Sequence, residues 1–305
     1  MYFIMIPKII HRMWLDKKIK NNLHFPKKYE KFVTSFDQHN PDFLVYFWNM
    51  EKVKNLFVTY PEIQKYRRVW SSLPYHIQKC DMARFLILYI HGGLYIDLDF
   101  MCFKNLSPLL NRDLLLTHEP IEYSDTHQNP VNAKLFNGFI GSVPKHPFWI
   151  DWLDFICESL KKTDDVLHTT GAINFKIFLE QSRYKNVPIL SNCDILPLHW
   201  FDDKVFISKE CIHRNNNSKI VTPDYHKKFG NYAHTKWLEG SNWGMEQWGG
   251  IEQLQDFDDP HNYANMTNES INKNTQDSSK ITYIMYFIIV LVLASAIYFI
   301  CIHSK

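Results

Sequence analysis

Two aspartates at alternate positions, Asp97 and Asp99, carry the clearest chemistry in the chain. They follow a short apolar segment at 94–96, which predicts a buried strand. Because alternate residues of a strand point to the same face, both carboxylates should lie within reach of one divalent cation. Paired carboxylates suit a hard cation such as Mg²⁺ or Mn²⁺, which in turn binds a diphosphate. The alternative is a pair of solvated acids at a strand end.

The segment just before this strand predicts a helix over 74–91, because apolar residues recur there at helical spacing. A pair of glycines at 92–93 would end it. Asp81 and Arg84 are three residues apart and share one face of the helix. They could form an exposed ion pair of little energetic weight. They could also serve as a hydroxyl acceptor and an oxygen-binding guanidinium, which the neighbouring D-x-D sequence favours.

Strands and helices alternate along the first two thirds of the chain, and this alternation is typical of an α/β domain with a mainly parallel sheet. Predicted strands cover 9–14, 43–48, 94–96, 114–117 and 139–143. Predicted helices cover 26–36, 51–58, 61–70, 74–91, 147–160 and 172–181. Ligands of such sheets bind at the carboxyl ends of the strands, where Trp14 and the two aspartates fall.

Two blocks of sequence resemble glycosyltransferase family 32, which includes fungal α-mannosyltransferases and inositol-phosphoceramide mannosyltransferases. They read CDMARFLILYIHGGLYIDLDF at 80–100 and IPKIIHRMWL at 6–15. The resemblance implies an α/β fold of the GT-A type around a mainly parallel sheet. It also implies a hexosyltransferase that uses a nucleotide sugar with Mn²⁺ or Mg²⁺ and retains the anomeric configuration.

The resemblance assigns roles to individual residues. Asp97 and Asp99 would be the catalytic residues and the metal ligands, and His234 would either complete the metal shell as a third ligand or meet the diphosphate. The substrate-binding candidates are Trp14, Asp81, Arg84, Asn137, Gly171, Ser241 and Trp243.

Several of these candidates also have a structural interpretation. Trp14 would stack on the nucleotide base, but it could equally be one of nine tryptophans that pack the protein. Asn137 suits a sugar hydroxyl or a turn, and Gly171 marks either a ligand-binding helix start or a plain cap. His11 is a weaker candidate, since a lone histidine in a strand is usually structural.

The composition predicts three parts: a catalytic domain at 1–251, a polar flexible linker at 252–280 and a transmembrane helix at 281–302. The last segment holds 22 residues without Asp, Glu, Lys or Arg. We therefore expect a single-pass protein of an endomembrane (ER or Golgi) or of a viral or host membrane. A terminal span favours a cytosolic head, whereas glycosylation sequons at Asn216, Asn265 and Asn268 are compatible with a luminal one.

The six cysteines are scattered and lack a C-x-x-C pair, so we expect reduced thiols and neither a zinc site nor a disulfide scaffold. The formal net charge of +2 gives no reason to expect a nucleic-acid partner. The expected partners are a nucleotide-sugar donor (GDP-mannose or a UDP-hexose), an acceptor that is a glycan, glycolipid or glycoprotein, and the membrane.

Two other functions fit parts of the sequence. A phosphohydrolase of the haloacid-dehalogenase type also carries D-x-D after an apolar strand, and Asp202 and Asp203 could supply its later acidic pair. Against it, Cys102 stands near the place where that motif has Thr or Val, and the motif lies far from the start of the chain. A catalytically inactive, membrane-anchored sugar-binding module is the other alternative.

Overall fold

The computed structural model describes residues 5–15, 25–120, 135–195, 198–201, 204–207, 211 and 233–235. Ser241, Trp243, the sequons, Asp202 and Asp203, the predicted linker and the predicted transmembrane segment lie outside these residues. Among the helices in the described part, none is both long enough and apolar enough to cross a bilayer.

The central element is a six-stranded sheet. Its strands are β1 (Ile9–Met13), β2 (Leu44–Trp48), β3 (Gly93–Ile96), β5 (Leu114–His118), β6 (Leu135–Ser142) and β7 (Ile189–Leu190). They lie in the order β2-β1-β3-β6-β5-β7, and only β6 runs antiparallel to the strands that it pairs with. The prediction of an α/β domain with a mainly parallel sheet is confirmed.

Two small sheets accompany the large one. Strand β4 (Phe100–Cys102) pairs antiparallel with β10 (Ala233–Thr235), and β8 (Leu198–Phe201) forms a hairpin with β9 (Lys204–Ile207).

Eight α-helices connect and flank the strands in the described part. They are α1 (Glu30–His39), α2 (Met50–Thr59), α3 (Arg67–Ser72), α4 (His76–His91), α5 (Pro147–Ser159), α6 (Val166–Thr169), α7 (Ala172–Gln181) and α8 (Asn192–Ile195). Two predicted helices begin as 3₁₀ turns instead, at Lys27–Tyr29 and Pro61–Tyr66. The other predicted helices and strands match the structure closely, except that β6 begins four residues earlier than expected.

Helices cover both faces of the sheet. On one face Phe36 of α1 packs with Ile10, Leu94 and Ile96 of the strands. On the other face aromatic rings of α4, α5 and α7 form a stack that includes Phe85, Trp149, Trp152 and Phe175. All four residues of β3 are buried, which explains its continuous apolar sequence.

The turn from α4 into β3 requires its two glycines. Gly92 and Gly93 have φ angles of 64° and 85°, which other residues rarely adopt. A Cβ on Gly93 would also lie 2.8 Å from the Ile9 carbonyl oxygen. The glycine pair therefore lets β3 pair directly with β1 and places the D-x-D sequence at the far edge of the sheet.

The expectation of reduced thiols is wrong for two of the six cysteines. Cys193 of α8 and Cys211 form a disulfide, with their Cα atoms 5.4 Å apart. The bond closes a loop that contains the β8–β9 hairpin. The two cysteines are 18 residues apart in sequence, so their spacing alone did not indicate that they are in contact. Cys80, Cys102 and Cys157 are free thiols.

Candidate functional site

The D-x-D sequence forms a turn between β3 and β4 and is not part of a strand. The Phe100 amide donates to the Asp97 carbonyl at 3.3 Å, and Leu98 is buried against Phe25 and Val33. The predicted strand alternation is therefore wrong as the cause of the arrangement. Because Leu98 points inward, the turn still leaves Asp97 and Asp99 half-buried at the edge of the sheet.

Main-chain contacts from both sides fix the position of Asp97. Its amide donates to the Gly138 carbonyl at 2.8 Å, and its carbonyl accepts from Arg12 Nη1 at 2.6 Å. Its carboxylate Oδ1 accepts from the Tyr95 hydroxyl at 2.9 Å. A Cβ on Gly138 would lie 2.3 Å from Asp97 Oδ2, so only glycine leaves room for this carboxylate.

Arg84 joins the candidates into one cluster. Its Nη2 lies 3.1 Å from Asp81 Oδ1, its Nη1 donates to the Asn137 carbonyl at 3.0 Å, and the same Nη1 lies 3.5 Å from Asp97 Oδ1. Its guanidinium carbon is 4.8 Å from the Tyr95 ring centroid. The Arg84 guanidinium therefore connects Asp81, its predicted partner on the same helix, to the D-x-D turn.

Burial of Arg84 works against its charge, but its neighbours more than compensate. Burial alone would lower the pKa of the guanidinium, while Tyr95, Asp97 and Asp81 raise it, and the net result is a raised pKa. Arg84 therefore stays charged at every physiological pH and acts as the fixed positive centre of the cluster.

Asp81 lies at the buried end of the cluster. Its Oδ1 accepts from Asn137 Nδ2 at 3.1 Å and its Oδ2 accepts from the Thr170 hydroxyl at 2.8 Å. Burial raises the pKa of this carboxyl to about 6, while Arg84 and Thr170 act in the opposite direction. Asp81 is therefore largely ionised at neutral pH, and it protonates in mild acid.

Trp14 lies beside the D-x-D turn, as the sequence predicts. It is half-buried, it packs with the cluster that contains Leu98, and its ring centroid is 5.8 Å from that of Tyr29. Burial, followed by the charges of Asp99 and Asp97, raises the pKa of Tyr29 to about 12. A base-stacking role for Trp14 remains a prediction.

His11 has the contacts of a structural residue. Its Nε2 donates to the Gly92 carbonyl at 2.8 Å, and its Nδ1 accepts from Trp48 Nε1 at 3.0 Å. Burial lowers its pKa to about 3, so the ring is neutral. It ties β1 to the glycine turn.

The main chain of His234 lies next to the D-x-D turn. In the antiparallel pair, His234 is opposite Met101 and Thr235 is opposite Phe100.

Gly171 and Asn137 are both near Asp81. Asn137 lies within β6, bonds to Asp81 and Arg84, and can therefore meet a ligand only through its remaining donor and acceptor positions. Gly171 precedes α7, and a Cβ there would lie 2.9 Å from the Val166 carbonyl oxygen, which explains the glycine by close packing.

The donor atoms at the turn suit a hard divalent cation, because carboxylate oxygens are what Mg²⁺ and Mn²⁺ prefer. In the described part of the chain no group of three or more His, Cys, Asp or Glu side chains is placed to hold a metal ion. Asp97 and Asp99 could thus supply two ligands, and any further protein ligand would come from elsewhere in the chain.

Three contacts of the cluster were not predicted. Tyr95 could have been found, since it lies on β3 only two residues before Asp97. Thr170 stands next to a predicted candidate, Gly171, but a hydroxyl in such a block carries no distinctive signal. Arg12, fully buried under the turn, has no signature in the sequence at all.

Residues 26–117 match the family model described as "Glycosyltransferase sugar-binding region containing DXD motif". The matched region includes all of α4 and the D-x-D turn. The resemblance to the D-x-D glycosyltransferases is confirmed.

Two relatives and one solved structure are similar to parts of this chain. Inositol phosphoceramide mannosyltransferase 1 of Schizosaccharomyces pombe is 34% identical over 148 residues, which are 47% of this chain and 40% of the relative. An uncharacterized glycosyltransferase of Acanthamoeba polyphaga mimivirus is 28% identical over 208 residues, 66% of this chain and 76% of the relative. Mouse xyloside xylosyltransferase 1 has a TM-score of 0.44 at 12% identity, covering 75% of this chain and 97% of that one. The match spans less than half of the Schizosaccharomyces pombe protein.

Proposed function

We propose that the protein is a metal-dependent glycosyltransferase that moves a hexose from a nucleotide sugar to a glycan or lipid acceptor. The observation that carries the proposal is the continuous cluster in which Arg84 contacts Asp81, Asn137 and Asp97 at the carboxyl edge of the sheet. A nucleotide sugar needs both a diphosphate-binding end and a sugar-binding end, and this cluster offers one of each.

The sugar would lie at the Asp81 end. A buried carboxylate accepts hydrogen bonds from sugar hydroxyls without competition from water, and the adjacent guanidinium binds an oxygen on the same ligand. The diphosphate would lie at the Asp97 end, where Trp14 is close enough to stack on the base of the same nucleotide.

Asp97 and Asp99 would hold Mn²⁺ or Mg²⁺, with His234 as a candidate third ligand. A bound cation of this kind stabilises the negative charge that develops on a leaving diphosphate. Arg84 and Asp81 orient the donor, and Ser241 and Trp243 would cover the diphosphate and keep water, the competing acceptor, away.

Retention without a protein nucleophile is the route that the cluster supports. The carboxylates of Asp81 and Asp97 both contact Arg84, which lowers their reactivity toward an anomeric carbon. Attack on the same face as the leaving diphosphate needs neither of them. A trapped covalent glycosyl-enzyme would disprove this route.

Several features bear on the identity and location of the substrates. The relatives named as mannosyltransferases favour GDP-mannose as the donor, with a UDP-hexose as the alternative. The name of the Schizosaccharomyces pombe relative favours a glycolipid acceptor, which a transmembrane segment at 281–302 would keep within reach.

The Cys193–Cys211 disulfide favours a head on the luminal side of an endomembrane, because such bonds persist in oxidising compartments.

The match to a glycosyltransferase family favours this function over a phosphohydrolase. The inactive sugar-binding module remains the alternative that activity must decide.

Nucleotide release by the full-length chain in detergent, measured over a panel of GDP- and UDP-sugars, tests the proposal. We expect release from one donor in Mn²⁺, loss of release in EDTA, and loss in Asp99→Asn. Asp113→Asn, which changes an exposed carboxylate at the opposite edge of the sheet, is the matched control and should retain activity.

The outcomes separate the alternatives. Binding of a nucleotide sugar without release in the presence of acceptor lipids would favour the inactive module. Folded protein that neither binds nor cleaves any nucleotide sugar would disprove the proposed function.

A further inference from the structure

The end of α6 and the turn that leads into α7 contact helix α4 through two hydrogen bonds. Thr169 and Thr170 form the turn, and both are completely buried. Thr169 Oγ1 accepts from Gln78 Nε2 at 2.9 Å, and Thr170 Oγ1 donates to Asp81 Oδ2 at 2.8 Å. Because Gln78 and Asp81 are three residues apart, the two threonines contact neighbouring positions on one face of α4.

The turn itself is held rigidly. Asn174 donates to the Thr169 carbonyl and to the Ser159 hydroxyl, and the Gly171 amide donates to the Val166 carbonyl at 2.8 Å. A side chain on Gly171 would collide with the main chain of Val166 and Leu167 in α6, so the turn keeps this conformation only with glycine there. The Thr170 hydroxyl is therefore fixed in place before any ligand binds.

The contacts of Asp81 show what that hydroxyl does. Oδ1 is shared between Arg84 and Asn137, whereas Oδ2 has one described partner, Thr170. A carboxylate oxygen accepts two hydrogen bonds, so Oδ2 retains one position for a ligand hydroxyl. Thr170 decides where that open position points.

We propose that Thr170 is a positioning residue, whose hydroxyl orients the Asp81 carboxylate so that its remaining acceptor position meets the donor sugar. This inference rests on the proposed function, in which Asp81 binds the sugar. It gives Thr170, the neighbour of the predicted candidate Gly171, a role through Asp81 and not through direct contact with the ligand.

The same bond affects the charge of Asp81. The groups that face this carboxylate are Arg84 and Cys80 on α4, Asn137 on β6, Thr170, and Asp97 after β3. Arg84, Asn137 and Thr170 favour the ionised form, whereas burial and the negative charge of Asp97 oppose it. Removal of the Thr170 hydroxyl therefore raises the pKa of Asp81 above its value of about 6.

Thr170→Val removes the hydroxyl and keeps the shape, and Thr170→Ser keeps the hydroxyl. In the full-length protein we expect Thr170→Val to raise the donor KM by roughly tenfold with a smaller change in kcat. The acid limb of kcat/KM, expected near pH 6, should move to higher pH. Thr170→Ser should have a donor KM and an acid limb close to those of the wild type. Loss of packing alone would not explain that recovery, because serine keeps the hydroxyl but not the methyl group.

Thr169→Val is the matched control, because it deletes an equally buried hydroxyl that bonds to Gln78 and not to Asp81. We expect it to lower the Tm while the donor KM stays within about twofold of the wild type. A donor KM and acid limb in Thr170→Val that match those of the wild type would overturn the proposal.

A second measurement needs no donor. The difference in Tm between the wild type and Thr170→Val should widen between pH 5 and pH 7, because the hydroxyl stabilises only the ionised carboxylate. A constant difference across this range would also overturn the proposal. If the wild type binds no nucleotide sugar, the proposed function and the positioning role fail together, and a widening difference would then still identify the Thr170–Asp81 bond.

Discussion

The two ends of the cluster around Arg84 meet solvent differently. The Asp81 side chain is 5% exposed and is held by side chains on three elements, whereas the Asp97 side chain is 33% exposed, contacts Tyr95 and Arg84, and is fixed in addition through its main chain. A buried, preorganised end can select a ligand by geometry, since water does not compete there. Under the proposed function, the more open end suits a hydrated cation and a diphosphate, which would enter and leave in each turnover.

Removal of the positive charge of Arg84 should cause the largest change in stability. Arg84→Met would leave Asp81 buried without its counter-charge, and we expect a loss of about 3–5 kcal/mol in the free energy of unfolding. Urea denaturation measures this loss. Arg183→Met, at an exposed pair with Asp151, should have no measurable effect. Similar effects of the two substitutions would show that Arg84 does not hold the buried end together.

Asp81→Asn should change how the stability of the protein depends on pH, because it removes the buried carboxyl. The folded-state pKa of about 6 lies above the ordinary value of 3.8, so the folded protein holds a proton that the unfolded chain has released. This group therefore makes stability fall as pH rises from about 4 to 6, by on the order of 2–3 kcal/mol. The Asn variant should lack that part of the decrease, and Asp113→Asn should keep it. If the wild type and Asp81→Asn show the same dependence of stability on pH, the raised pKa of Asp81 does not cause the decrease.

At the open end, Gly138→Ala should displace the Asp97 carboxylate. The new Cβ would lie 2.3 Å from Asp97 Oδ2, and such overpacking costs about 1–3 kcal/mol. Calorimetry should also show weaker Mn²⁺ binding. In a double-mutant cycle with Asp97→Ala, part of the stability loss should be recovered. Strict additivity would mean that the two positions are not coupled.

Trp14→Ala should give the smallest change in stability and a selective change in binding. The ring is half-buried, so the fold should tolerate its loss, while nucleotide affinity should fall by roughly tenfold if the base stacks on it. Titration of UDP and GDP in Mn²⁺ measures the affinity. Tyr46→Ala, at an exposed aromatic residue of β2, is the control. Unchanged affinity in Trp14→Ala would leave this tryptophan with a packing role only.

Contacts between residues that are close in sequence were easier to predict than contacts between distant residues, and the reason is physical. The D-x-D turn and the Asp81–Arg84 pair are local in sequence, so spacing alone places their residues together. Thr170 reaches Asp81 across 89 residues, and the Cys193–Cys211 bond forms between unremarkable positions. Such contacts depend on how helices pack against the sheet, which periodicity does not determine.

The D-x-D turn also shows how a correct residue assignment can rest on an incorrect mechanism. Strand alternation was expected to place the two carboxylates together, but burial of Leu98 in a turn achieves the same result. Strand β4 and its pairing with β10 escaped prediction for a related reason. Three-residue strands carry too little periodicity to be distinguished from a loop.

The reversed direction of β6 has a consequence for how such a protein can diversify. Because β6 runs against its neighbours, it begins at the carboxyl edge beside Asp97, and β5 ends at that same edge. The last residue of β5, His118, and the first residue of β6, Leu135, therefore lie at the same edge as the D-x-D turn. The chain after Ser142 turns back at the opposite edge. Insertions before Leu135 would lie at the edge that holds Asp97 and could leave every strand pairing in place, whereas insertions after Ser142 would lie at the opposite edge.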